Sequence, residues 1–94
     1  MLTWNVTYHC RPGQRDEFYK ALCALGIRAN SLSENGNRKY DYFFAAEAPD
    51  DLLLVETWTS PTLQDAHCKT EVFAKLQALK ARYCESVTID KFNY

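Results

Sequence analysis

The sequence predicts a single α+β domain over residues 1–94, in the element order βαββαβ, on three observations. Period-two alternation marks the two ends, apolar residues recur at helical spacing in two interior segments, and a short polar turn joins two strand-like runs between them. The chain is 47% hydrophobic and 14% aromatic, as a globular domain should be, and 94 residues build a thin core that a partner subunit would thicken.

The first strand runs from Leu2 to Cys10, with Leu2, Trp4, Val6, Tyr8 and Cys10 on one side and Thr3, Asn5, Thr7 and His9 on the other. Arg11-Pro12-Gly13 turns the chain. Phe18, Leu22 and Leu25 then recur at i, i+4 and i+7 as an amphipathic helix with Gly26 as its C-cap. Asn30 to Asn37 reads as a polar loop, and Tyr40 to Ala46 as a strand rich in aromatic residues. Ala48-Pro49-Asp50-Asp51 turns this strand into the next, Leu52 to Thr59, as an antiparallel hairpin. Ser60 caps and Pro61 opens a second helix, striped by Leu63, Ala66, Thr70, Phe73, Leu76 and Leu79 and ending near Arg82. Glu85 to Phe92 alternates again as the last strand.

Right-handed crossovers put both helices on one face of an antiparallel sheet in this ferredoxin-like order, leaving the other face bare. A bare apolar sheet face in so small a domain predicts a homodimer. Eleven basic against twelve acidic residues give a net charge of -1, and without a Lys or Arg run nucleic acid is not an expected partner. No apolar stretch approaches the ~20 residues of a membrane span, and no basic segment precedes an apolar run at the start, so a cytoplasmic location is expected. Cys10, Cys23, Cys68 and Cys84 lie singly, with no C-x-x-C pair, and read as reduced thiols rather than a metal set.

Three residues carry the candidate chemistry. Glu56 is in phase with Leu52, Leu54 and Trp58, and a carboxylate on the apolar side of a central strand must raise its pKa or find a donor. A partnered structural Glu and a catalytic one both satisfy that pattern. Trp58 suits a pocket for a flat ligand, or simple packing. His67, one turn after Leu63 at the edge of the helical stripe, is either a structural hydrogen-bonder or a base.

Taken in order, Glu56-Thr57-Trp58-Thr59-Ser60 and Ala66-His67-Cys68-Lys69-Thr70-Glu71-Val72-Phe73 resemble the signature of the antibiotic biosynthesis monooxygenase (ABM) family, especially its small quinol-monooxygenase-like members. The likeness extends to the Arg11-Pro12-Gly13 turn, to Glu34-Asn35-Gly36-Asn37 before Tyr40-Asp41, and to Ile89-Asp90, and so covers nearly the whole chain. The resemblance implies a homodimeric α/β barrel in which two four-stranded sheets face each other, with a pocket between each sheet and its own helices. Members include oxygenases that use no metal, flavin or haem to attack electron-rich phenols or quinols; others isomerise small carbonyl compounds or degrade haem. In the haem-degrading branch the iron-binding His stands where this chain has Gln77, a Trp stands at His67, and the strand-one Asn aligns with Val6, so haem degradation is not expected.

The expected function is therefore a cofactor-independent monooxygenase of a small aromatic or quinone-like ligand, requiring no metal, haem or flavin. His67 is its general base, since an imidazole pKa of about 6.5 suits neutral operation, and Glu56 is its orienting partner. Trp58 and Tyr40 are expected to stack the ring, with Tyr42 on the neighbouring strand and Asn37 near the rim. An isomerase would use the same His67 and Glu56. For a phosphorylated substrate it would have only the loop cations Arg28, Arg38 and Lys39. A non-catalytic dimer that binds a small ligand is the third reading.

Overall fold

In the computed structural model, which describes residues 1–93, eight elements follow one another. They are β1 (Leu2–Cys10), α1 (Arg15–Leu25), α2 (Ile27–Ser33), β2 (Asn37–Phe44), β3 (Asp51–Trp58), α3 (Pro61–His67), α4 (Glu71–Tyr83) and β4 (Cys84–Asn93). The strands pair antiparallel in the order β2-β3-β1-β4, and the fold is the expected α+β, ferredoxin-like one. Register aligns the apolar sides: Val6 with Leu54, Tyr8 with Leu52, and Tyr40 and Trp4 on either side of Glu56. Phe18, Leu22, Ile27 and Leu76 close over this face, and Phe18 meets Tyr8 edge-on at 5.2 Å. Each such side chain contributes about 1.5–3 kcal/mol by leaving water.

Two expectations about the helices are corrected. Residues 27–33, expected largely as loop, form α2. Gly26, at φ 71°, ends α1 by donating to the Leu22 and Cys23 carbonyls, while its own carbonyl accepts from Asn30 N at 3.0 Å. One left-handed residue thus closes one helix and starts the next, and Ile27 and Ser31, one turn apart, face the core. The second predicted helix is also two. Thr70 is extended, its hydroxyl donates to the His67 carbonyl at 2.9 Å and accepts from Phe73 N at 3.1 Å, so it ends α3 and caps α4 instead of joining the apolar stripe. The strand β2 starts at Asn37 and stops at Phe44, earlier at both ends than expected.

The helix-free sheet face is mixed rather than apolar, which corrects the expectation for it. Alternate residues of β1 and β4 place Thr3, Asn5, Thr7 and Thr88 there, while β2 and β3 add Phe43, Leu53 and Val55. His9 spans the face, its Nδ1 at 2.9 Å from Asp51 and its Nε2 at 2.8 Å from Thr88. All four cysteines are free thiols. Cys10 and Cys84 sit opposite each other in the β1–β4 register, and burial pushes the Cys84 thiol up to about 12. Among the described residues no helix is long and apolar enough to cross a membrane.

Candidate active site

Glu56 and Trp58 share one side of β3 by the strand's period of two, and the Trp58 indole N–H donates to Glu56 Oε1 at 2.7 Å. Both are sealed from solvent. Burial lifts the Glu56 pKa, against the opposing pull of the Trp58 hydrogen bond and the His67 and Lys80 charges. After β3, the Ser60 hydroxyl accepts from Leu63 N and Pro61 opens α3, which folds back over the sheet. His67 thereby lies over Trp58, ring centroids 4.9 Å apart, with Phe73 and Tyr40 edge-on at 5.3 and 6.0 Å.

A residue that sequence reasoning left in the polar loop completes this cluster. His67 Nδ1 stands 2.5 Å from Glu34 Oε2, with the His67 side chain only 2% exposed and that of Glu34 18%. Glu34 follows α2, and the loop after it is clasped to the connection between β3 and α3: Thr59 N donates to the Gly36 carbonyl at 2.8 Å, and Gly36 has φ 86°. A Cβ at Gly36 would strike the Leu63 side chain and sit 2.8 Å from Thr59 Oγ1, so close approach and positive φ both demand glycine. The signal available in the sequence was the Glu34-Asn35-Gly36-Asn37 run itself. A carboxylate accepts, so Nδ1 is the donor in this pair, and in a neutral imidazole that tautomer leaves Nε2 as the acceptor. Nε2 makes no hydrogen bond among the described residues.

His67 separates two cavities. The first, ≈ 50 Å³, lies between the sheet and α3–α4 and is lined by Tyr40, Glu56, His67, Phe73, Lys80 and Trp4, among others. The second, ≈ 190 Å³, is lined by Glu34, Asn35, Leu63, Ala66, His67 and Thr70. Benzene occupies an engineered cavity of about 150 Å³, so a ring enters the first cavity only as side chains at its open end move aside. Ile89, 43% exposed, and the half-buried Lys80 and Phe73 mark that end. The Trp4 indole N–H and the Tyr40 hydroxyl border it, buried and without an acceptor of good geometry. Burial drives the Tyr40 pKa far above the ordinary tyrosine range, leaving the hydroxyl a donor.

Three predicted lining residues do not line this cavity. Trp58 is packed beneath His67, its N–H spent on Glu56. Tyr42 lies two residues along β2 from Tyr40, meets Tyr19 of α1 edge-on at 5.8 Å, and borders a different cavity with Leu22. Asn37 is opposite Trp58 at the start of β2, and its side-chain amide turns back to donate to the Lys39 carbonyl at 3.2 Å. Gln77 is exposed on α4. Among the described residues no group of three or more His, Cys, Asp or Glu side chains is disposed to hold a metal.

Residues 1–79 match the family model described as antibiotic biosynthesis monooxygenase. Among solved structures, PA3566 from Pseudomonas aeruginosa superposes with a TM-score of 0.88 at 25% identity, covering 99% of this chain and 92% of that one. A Bacteroides thetaiotaomicron protein titled a possible oxidoreductase gives 0.86 at 27% identity, over 99% and 96% of the two chains. A Nitrosomonas europaea protein described as a candidate antibiotic biosynthesis monooxygenase gives 0.89 at 19% identity, over 100% and 98%, a likeness of fold. No curated protein matches the sequence. With most of its length matched by the family model, the chain belongs to the antibiotic biosynthesis monooxygenase family.

Proposed function

We propose that this protein is a cofactor-independent monooxygenase of a small electron-rich phenol or quinol, with His67 Nε2 as general base. The observation that carries this reading is the buried imidazole anchored by Nδ1 on Glu34 while its ring borders the sheet–helix cavity. The anchor fixes the tautomer and stabilises the imidazolium that forms when Nε2 takes a proton. Glu56, bound to Trp58, lies on the floor beneath the imidazole.

Electron transfer from the organic substrate to dioxygen is the slow step, and a phenolate gives up an electron far more readily than a phenol. His67 takes the phenolic proton, the anion reduces dioxygen, one oxygen atom enters the ring, and the other leaves as water. For a quinol oxidised to a hydroxyquinone the four electrons needed come from the substrate, so the equation balances without an added reductant. Arg28 and Lys39, the cations an isomerase of a phosphorylated substrate would need, instead pair with Asp41 at 3.0 and 3.9 Å and border no part of the cavity. This reading includes a homodimer joined across the helix-free sheet face and a cytoplasmic location.

Turnover of a panel of naphthoquinols, followed by oxygen uptake, tests the proposal. His67→Ala is expected to lower turnover about a hundredfold or more with the circular dichroism spectrum intact, and Glu34→Gln to lower it by a smaller factor. Unchanged turnover in His67→Ala would overturn the mechanism.

A further inference from the structure

Lys80 has no role in the chemistry above, yet it stands at the cavity. On α4, Phe73, Leu76 and Lys80 recur at i, i+3 and i+7, and all three line the space between sheet and helices. Lys80 is half-buried and forms no salt bridge among the described residues, whereas Lys20, Lys39, Lys69 and Lys75 each pair with a carboxylate. Its Nζ lies 5.8 Å from the centre of the Phe73 ring. Burial lowers its pKa, the expected result of stripping water from an ammonium without a full counter-charge. The titratable groups facing it are Glu56 on β3, Cys68 between α3 and α4, and Cys84 at the start of β4. Glu56, the one carboxylate among them, spends Oε1 on the Trp58 N–H and makes no salt bridge with Lys80 among the described residues.

The same cavity holds two further unmet groups, the Trp4 indole N–H on β1 and the Tyr40 hydroxyl on β2, on the two strands that flank β3 in its floor. A cation without an anion and two donors without acceptors, gathered around one space, describe the ligand by what they lack. We infer that the cavity holds its ligand as an oxyanion, a phenolate whose counter-ion is Lys80 and whose oxygen atoms accept from Trp4 Nε1 and the Tyr40 hydroxyl. The inference rests on the reading of this cavity as the site of phenol or quinol oxidation, and it narrows the substrate to one that binds ionised. His67 removes the proton and Lys80 stabilises what remains, so base and cation together favour the form that reduces dioxygen.

The test uses 4-nitrophenol, whose ionised form absorbs visible light, titrated with pH in complex with the intact protein. Bound to the wild type, the dye should ionise about one pH unit lower than free, a tenfold shift of its acid equilibrium, as an opposite charge close by produces. Lys80→Arg should keep that shift and Lys80→Met should abolish it. If the bound dye ionises as it does free, or the shift survives in Lys80→Met, the role of Lys80 is overturned, while loss of quinol turnover in His67→Ala would still uphold the oxygenase. If the wild type does not bind the dye, the cavity is no site for a phenol and both readings fall.

Discussion

Glu56 is the residue whose chemistry was most legible in advance, because an acid in phase with Leu52, Leu54 and Trp58 is turned toward the core and largely buried. Its raised pKa makes stability depend on pH in a definite direction. The folded state keeps the Glu56 proton to higher pH than the unfolded chain does, whose carboxyl titrates near about 4.3. Its contribution is therefore complete below the unfolded value and lost as pH rises through the folded one. Glu56→Gln keeps an acceptor for the Trp58 N–H but does not titrate. Urea midpoints measured from pH 4 to 8 should show wild type losing ground to the variant as pH rises, and parallel profiles would refute a buried, proton-holding Glu56. Glu34 was not legible in the same way. A polar residue in a polar loop carries no periodicity, and only the fold brings it to His67, 33 positions away.

At the scale of elements, the strands and the hairpin followed from alternation and turn chemistry, and helix ends were where the reading failed. Thr70 fits a helical stripe by spacing alone. Its hydroxyl can instead serve the backbone on either side, and hydrophobic periodicity does not register that competition. The consequence is functional, because the residue that caps α4 also holds the last carbonyl of α3, which belongs to His67. Thr70→Ala should cost about 1 kcal/mol in chemical denaturation, with Thr70→Ser restoring most of it. A loss of no more than a few tenths would show that the junction is held by packing. Gly26 hid α2 in a similar manner, since a C-cap glycine announces an end and gives no sign that another helix begins at once.

For the whole molecule, the single antiparallel sheet with one face covered was predictable from element order, whereas element order alone carries no information on how polar the bare face is. Threonines and aliphatic residues share it, and His9 ties β1 to β3 and β4 across it. A homodimer formed there would be sealed by hydrogen-bonding hydroxyls as well as by Leu53, Val55 and Phe43. Light scattering at micromolar concentration should give twice the mass of one chain, and a monomer would refute the dimer.

The pairing of β1 with β4, Leu2 against Asn93, also bears on how the protein is made. During synthesis β4 is the last of the eight elements to leave the ribosome, and until it arrives β1 has one unsatisfied edge and the cavity lacks the wall that carries Ile89. The nascent chain can therefore assemble its hairpin and helices early, but the cavity is walled only once β4 has emerged and paired with β1.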